Sequence, residues 1–234
     1  MKFTSRDAMV PDDWQSPDRP SWAGIGIGLA SYSICLVLVA LAMGYWARDV
    51  PVWQGVIGSY AGAIAGLCGF AAACLVRRTP ANKLGLVATH WPWYAVAVGL
   101  AIATYGLSLS IIDAHMQVTG RPDESQAVLH AAVRGGALPF LLALVGGAIL
   151  TPLGEELLFR GIIANALNRY GAWAGIAASA LIFGMAHGTG AILWVAIMAG
   201  LVSGLLFRRT GSVWPSVLLH MAYNGLHSFA SALS

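Results

Sequence analysis

Long runs of apolar residues follow one another through most of this 234-residue chain. A helix needs about 20 mainly apolar residues to cross a hydrocarbon layer roughly 30 Å thick. Hydrophobic residues make up 58% of the chain and charged residues only 10%, which is not typical of a soluble domain. The runs cover residues 22–47, 52–76, 91–112, 136–153, 172–187, 190–207 and 212–232. We therefore predict an all-α fold, a polytopic transmembrane helical bundle of about seven spans.

The chain is predicted to form one bundle over residues 21–234, preceded by a disordered cytoplasmic tail at residues 1–20. That tail is rich in charged residues and proline and has no apolar core. The region 136–168 is too long and too interrupted for one simple helix, and Pro152 and Gly154 are expected to break the helix there. An outer-membrane barrel is excluded because the runs do not alternate apolar and polar residues.

Basic residues predict the orientation in the membrane. With seven alternating crossings, the N-terminal tail shares one face with the loops that carry Arg77, Arg78, Lys83, Arg169, Arg208 and Arg209. By the positive-inside rule this face is cytoplasmic, so we predict a multi-pass protein of the plasma (inner) membrane with a cytoplasmic N-terminus. Membrane lipid is then a partner. The net charge of +3 is small and does not suggest a nucleic-acid partner.

Three charged residues interrupt the fourth apolar run, in Gly-Glu-Glu-Leu-Leu-Phe-Arg-Gly at residues 154–161. Charges at membrane depth are costly and are usually paired and functional. Glu156 and Arg160 are four residues apart and can pair on one helix face, whereas Glu155 is rotated by about 100°. Without a full counter-charge, Glu155 can face a cavity and accept a proton. The alternative is that all three residues mark a helix end in water.

His187 ends the fifth apolar run. Glu155 and His187 lie 16 residues before and after Gly171, so an antiparallel turn at Gly171 would place both about 24 Å from the turn. A histidine alone in a membrane helix is more often a packing residue, but this one is not alone.

His220 and Asn224 are four residues apart in the last run and share a helix face. Both side chains can donate a hydrogen bond to a developing oxyanion, although such residues also bridge helices in bilayers. His227 is nearly on the same stripe and is expected to be structural or to line the edge of a cavity. Glycine stripes such as Gly58, Gly62 and Gly66 are expected to allow close approach of helices.

The order Glu155-Glu156-x-x-x-Arg160, Phe183-x-x-x-His187, His220-x-x-x-Asn224 resembles the three motifs of the CPBP family of intramembrane proteases. This family comprises the type II CAAX prenyl proteases, the bacteriocin-processing proteins and the Abi proteins. The resemblance covers the protease motif region at 137–230. It implies an intramembrane endopeptidase that cleaves a peptide or protein substrate with a lipid, a membrane anchor or a transmembrane segment.

The resemblance also implies a role for each residue. Glu155 would be the general base that activates water, and His187 would help to hold that water. His220 and Asn224 would form the oxyanion hole, while the remaining motif residues, Glu156, Arg160 and Phe183, would maintain the site.

The family has been described both with and without a required metal. A catalytic zinc usually has three protein ligands, which Glu155, His187 and His220 could provide. That arrangement leaves only the arginine-paired Glu156 as a base, so we favour a site with no cofactor, with Zn²⁺ as the alternative. Two other functions stay open: a non-catalytic immunity or scaffold protein that binds peptides, and a small proton-coupled transporter. The transporter would be expected to contain internal repeats, and none is found.

Overall fold

The structure is a computed structural model, and it describes residues 14–76 and 78–233. This part of the chain is helical and contains no β-strand, so the predicted all-α fold class is confirmed. The eight helices are α1 (Trp22–Trp46), α2 (Pro51–Val76), α3 (Pro92–Thr119), α4 (Ala127–Val133), α5 (Ala137–Tyr170), α6 (Ala172–Ala186), α7 (Ala191–Thr210) and α8 (Trp214–Leu233).

Seven of these helices coincide with the seven apolar runs, and α4 is a short additional helix. Within the described residues, α1, α2, α3, α5 and α7 are long and apolar enough to cross a membrane by length and composition. Helix α6 is apolar but has only 15 residues, and α8 carries His220, Asn224 and His227 among its 20 residues. The fold is a polytopic helical bundle, and the number of seven crossings stays a prediction.

Helix α5 lies at the centre of the bundle. Its residues 154–168 are all buried, as expected for a helix covered on every side. Helices α1, α2, α6, α7 and α8 all contact it. The largest apolar cluster forms around its buried residues Leu158, Phe159, Ile162 and Ile163. A charged residue on this helix is therefore held away from water unless a cavity reaches it.

The expected helix break at Pro152 and Gly154 is wrong, because α5 continues through both residues. Two stretches of π-helix, Val145–Leu150 and Leu157–Ala164, flank the short α-helical segment Thr151–Glu156. Pro152 follows the first wide stretch at the start of that segment, where the i→i−4 hydrogen-bond pattern is already interrupted and its missing N–H is tolerated. Wide turns of this kind often occur at functional sites.

Helix α2 has a break at Tyr60, and Thr151 of α5 fits into it. The Thr151 hydroxyl donates to the Ser59 carbonyl at 2.8 Å and accepts from the Ala63 N–H at 3.0 Å. Backbone groups freed by a kink must be paired again inside a bilayer. Thr151 thus fixes the kinked helix α2 against the segment that carries Glu155 and Glu156.

Glycines let the second half of α2 lie directly on α5, as the stripe of Gly62 and Gly66 predicts. A Cβ atom at Gly66 would overlap the backbone of Gly154, and one at Gly62 would lie 2.5 Å from Glu155 Oε1. No other residue type leaves this space free.

Within the expected tail, residues 14–20 are described and residues 1–13 lie outside the described residues. Trp14 is buried, with the guanidinium groups of Arg19 and Arg208 at 4.2 and 4.6 Å from its ring. Arg19 also donates to Asn165 of α5 at 2.8 Å. This last part of the segment therefore contacts the bundle, and the boundary at residue 20 stays a prediction.

We expect Gly66→Ala to lower the free energy of unfolding by about 1–3 kcal/mol, because the added methyl group forces α2 away from α5. Denaturant unfolding of the purified protein in detergent measures the change. Gly99→Ala is the matched control, since a Cβ atom there meets nothing within 4 Å. Equal stability of the two variants would contradict the close packing.

Candidate active site

Glu156, Arg160 and His220 form a buried charged cluster between α5 and α8. Arg160 Nη1 lies 3.0 Å from Glu156 Oε1, and the side chains of both residues are fully buried. His220 Nδ1 lies 3.0 Å from the same carboxylate oxygen, while Arg160 Nη2 donates to the Gly200 carbonyl of α7 at 3.2 Å. The spacing of four residues thus brings Glu156 and Arg160 together, and a helix 64 residues away completes the cluster.

Glu155 points away from that ion pair and towards two imidazole rings. Its Oε2 atom lies 3.9 Å from His187 Nε2 and 3.9 Å from His220 Nε2. The same atom is buried and has no hydrogen-bond partner among the described residues. Residues from α5, α6 and α8 therefore converge on one carboxylate oxygen.

Tyr32 of α1 contacts the other oxygen of this carboxylate. Its hydroxyl donates to Glu155 Oε1 at 3.4 Å, and its ring is buried against Phe159. Tyr32 was not predictable from the sequence, because a tyrosine in an apolar run 123 residues before Glu155 carries no local signal. This contact orients the carboxylate so that Oε2 faces the histidines.

The hydrogen bond of His187 determines which ring nitrogen carries the proton. His187 follows the last residue of α6, where the turn tightens and its N–H bonds to the Gly184 carbonyl. The Phe183 carbonyl accepts from His187 Nδ1 at 2.8 Å instead. A carbonyl oxygen can only accept a hydrogen bond, so Nδ1 is the donor. In the neutral ring, Nε2 then carries a lone pair that faces Glu155.

The hydrogen bond of His220 likewise determines which of its ring nitrogens carries the proton. The Glu156 carboxylate, paired with Arg160, can only accept a hydrogen bond, so His220 Nδ1 donates to it. In the neutral ring, His220 Nε2 then carries a lone pair. When both rings are neutral, each one thus has an acceptor nitrogen, Nε2, near Glu155 Oε2. Such a group of acceptors can bind either a hydrogen-bond donor, such as a water molecule, or a cation.

Phe183 contacts the two histidines and the arginine. Its ring centroid lies 4.4 Å from that of His187 and 5.9 Å from that of His220. The Arg160 guanidinium carbon lies 4.7 Å from the same ring, within the usual range of a cation–π contact. Phe183 therefore fixes the rings by packing and partly compensates the buried charge.

Asn224 lies one helical turn beyond His220, at the edge of this group. Its Nδ2 donates to the Gly147 carbonyl of α5 at 2.8 Å. An amide nitrogen has two N–H groups, so a second donor and the Oδ1 acceptor stay available. The structure thus brings Glu155, Glu156, Arg160, Phe183, His187 and His220 into contact and places Asn224 beside them.

A cavity of about 500 Å³ begins at Asn224 and Gly147 and extends along α8 to Ser231. The loop between α3 and α4 lies at its edge, where Asp123 accepts from the backbone N–H of Ser125 and of Ile192 at 2.9 and 3.1 Å. Burial opposes ionisation, but hydrogen bonds from Ser125, Ile192 and Ala191 outweigh it and lower the pKa of Asp123. The ionised carboxylate ties this loop to the N-terminus of α7.

The region that carries this site is similar to a known family of proteases. Residues 137–226 match the family model described as type II CAAX prenyl endopeptidase Rce1-like. The matched region, which is less than half of the chain, is similar to that family. The match supports the resemblance read from the three motifs and a protease of the CAAX type in a multi-pass membrane protein. No curated protein and no solved structure matches the chain.

We expect Glu156→Gln to destabilise the protein far more than Glu155→Gln. The first variant leaves Arg160 without its buried counter-charge, which typically costs about 3–5 kcal/mol. The second preserves that pair. Denaturant unfolding in detergent compares the two, with Glu124→Gln in the exposed loop as control. Equal losses in both variants would contradict the division between the two acids.

Proposed function

We propose that this chain is an intramembrane endopeptidase that hydrolyses a peptide bond of a membrane-anchored or lipidated protein or peptide. One observation carries the proposal: the buried Oε2 atom of Glu155 has no hydrogen-bond partner among the described residues and lies 3.9 Å from the Nε2 atoms of both histidines. The family match supports the same class of reaction.

Glu155 acts as the general base in the proposed reaction. A water between the carboxylate and the imidazoles donates one hydrogen to Glu155 Oε2 and the other to His187 Nε2. This leaves a lone pair of the water free to attack the scissile carbonyl carbon. Glu155 takes the proton as the new bond forms and then delivers it to the leaving amine. Tyr32 holds the carboxylate in place during both transfers.

His220 and Asn224 stabilise the oxyanion of the tetrahedral intermediate. Asn224 provides its second Nδ2–H group. His220 can donate through Nε2 only when the ring is doubly protonated, since Nδ1 already donates to Glu156. The carboxylates of Glu155 and Glu156 lie on the two sides of that ring and stabilise its positive charge. Glu156, Arg160 and Phe183 maintain this arrangement and do not touch the substrate.

A zinc ion is the alternative way to activate the water. By donor type, Glu155, His187 and His220 would hold it, since two imidazoles and one carboxylate form a known catalytic ligand set. When bound, the ion would polarise the water. The described residues contain no ready group of three such ligands. A tetrahedral zinc places its ligand atoms about 3.4 Å apart, so the separations of 3.9 Å would have to shrink.

The proposed orientation places the N-terminus on the cytoplasmic face of the plasma membrane. Contacts at one end of the bundle support it. Arg169 donates to the Pro20 carbonyl at 2.6 Å, and Asn165 donates to the Lys83 carbonyl at 2.6 Å. The N-terminal segment, the loop after α2 and the end of α5 thus lie together, and all carry basic residues.

We expect Glu155→Gln to reduce cleavage by at least about a hundredfold, because an amide cannot take the proton from water. The assay uses purified protein in proteoliposomes and farnesylated peptide reporters, with products identified by mass spectrometry. Glu124→Gln is the control and should cleave at the parental rate.

Undiminished cleavage by folded Glu155→Gln would overturn the mechanism. Binding of the reporters without cleavage by the parent protein would instead favour the non-catalytic peptide-binding function. Treatment with a chelator distinguishes the two ways to activate water. Activity should persist after chelation, and loss of activity that zinc restores would establish the metal-dependent alternative.

We expect Tyr32→Phe to reduce kcat about five- to tenfold, because loss of one orienting hydrogen bond is worth about 1 kcal/mol. Reporter cleavage measures kcat and KM, and KM should change little. Tyr45→Phe is the matched control, since Tyr45 lies on the same helix and is 82% exposed. Equal rates for both variants would show that Tyr32 does not position Glu155.

A further inference from the structure

The cavity beside Asn224 contains a histidine that the proposed reaction does not use. His227 lies one turn beyond Asn224 on α8 and lines this cavity together with Tyr105, Tyr223 and Asn224. The rings of Tyr105 and Tyr223 each make an edge-to-face contact with the imidazole, with a centroid distance of 4.7 Å. The imidazole is therefore held in a fixed position inside the cavity.

Ser108 of α3 determines the tautomer of this histidine. The Ser108 hydroxyl donates to the Tyr105 carbonyl at 2.7 Å, and its oxygen lies 3.0 Å from His227 Nε2. A hydroxyl has one proton to donate, so with that proton on the Tyr105 carbonyl, His227 Nε2 is the donor in the second contact. In the neutral ring, Nδ1 is then an acceptor.

His227 Nδ1 forms no hydrogen bond within residues 14–76 and 78–233, where the ring bonds through Nε2. A polar atom in an apolar wall is costly unless a ligand or solvent group pairs with it. Tyr105 and Tyr223 pack against the ring, and His227 lines the cavity from which a donor can approach Nδ1.

The family match does not include this group. It ends at residue 226, and Tyr105, Ser108 and His227 all lie outside the matched range. The group is thus a feature of this chain beyond the motifs that define the site.

The distances along α8 relate this group to the site of cleavage. At a rise of 1.5 Å per residue, His227 lies about 4.5 Å along the helix axis from Asn224. An extended peptide advances about 3.3 Å per residue. A substrate whose scissile carbonyl oxygen meets Asn224 therefore places a side chain near His227 one or two residues away from that bond.

We propose that the cavity binds the substrate segment next to the scissile bond, and that His227 selects there a side chain with an O–H or N–H donor. The inference rests on the proposed function for its substrate. Tyr105 and Tyr223 form the walls of the subsite, and Ser108 keeps the acceptor nitrogen towards the bound side chain. A nearly isosteric apolar side chain is rejected because it leaves Nδ1 unpaired.

Paired farnesylated reporters test this selection. The two members of a pair differ at one position, where one has threonine and the other valine. Four pairs cover the first and the second residue on each side of the scissile bond. At one of these positions, we expect the parent protein to cleave the threonine reporter at least tenfold more efficiently, measured as kcat/KM. His227→Leu should bring that ratio to within about twofold, because the substituted side chain has no acceptor for the threonine hydroxyl.

Two further variants keep the test decisive. Ser108→Ala removes the group that fixes the tautomer and should also lower the ratio, which matters if His227→Leu does not fold. His115→Leu is the control, because His115 lies on α3 and does not line this cavity. Equal cleavage of threonine and valine reporters at all four positions by the parent would overturn the proposal, as would an unchanged ratio in the folded His227→Leu variant.

Binding separates this proposal from the proposed function. Fluorescence anisotropy compares the same reporters on Glu155→Gln protein with and without His227→Leu. A threonine preference that depends on His227 supports the subsite even if the parent protein cleaves nothing, and that second result would count against the proposed function alone. Equal affinity for threonine and valine reporters on Glu155→Gln protein would overturn the subsite.

Discussion

The buried ion pair between Glu156 and Arg160 is the constraint on which the rest of the site depends. Neither charge can be hydrated at the centre of the bundle, so each must have its partner in place. The pair then fixes what surrounds it. Arg160 contacts the Phe183 ring and the Gly200 carbonyl, and Glu156 accepts from His220. Three helices are thereby held in register around one charged group.

This pair also leaves the neighbouring acid free. Successive residues of a helix differ by about 100° in direction, so Glu155 faces the histidines when Glu156 faces Arg160. Two identical side chains next to each other in sequence thus have different partners: one a permanent counter-charge, the other a phenol and two imidazoles. The low dielectric that makes the pair necessary also strengthens any interaction of Glu155 with a developing charge.

Sequence reasoning predicted the parts of this arrangement that are local to a helix. The spacings of Glu156 with Arg160 and of His220 with Asn224 follow from helical geometry, and the seven apolar runs coincide with seven of the eight described helices. The contact of Tyr32 with Glu155 was not predictable, because it depends on how α1 packs on α5. The prediction that Pro152 breaks the helix was wrong, because the π-helical turn before it already interrupts the hydrogen-bond pattern in which proline cannot take part.

The two π-helical stretches have a consequence for how this site can vary. A π turn contains more residues than an α turn, so side chains before and after it are rotated relative to an uninterrupted α-helix. Thr151, Glu155 and Glu156 all lie in the six-residue segment between the two wide turns. Insertion or deletion of one residue in Val145–Leu150 or Leu157–Ala164 can therefore interconvert π and α pitch locally. Because the wider turn accommodates the extra residue, such a change would leave both carboxylates and the threonine facing the same way, with their mutual geometry intact.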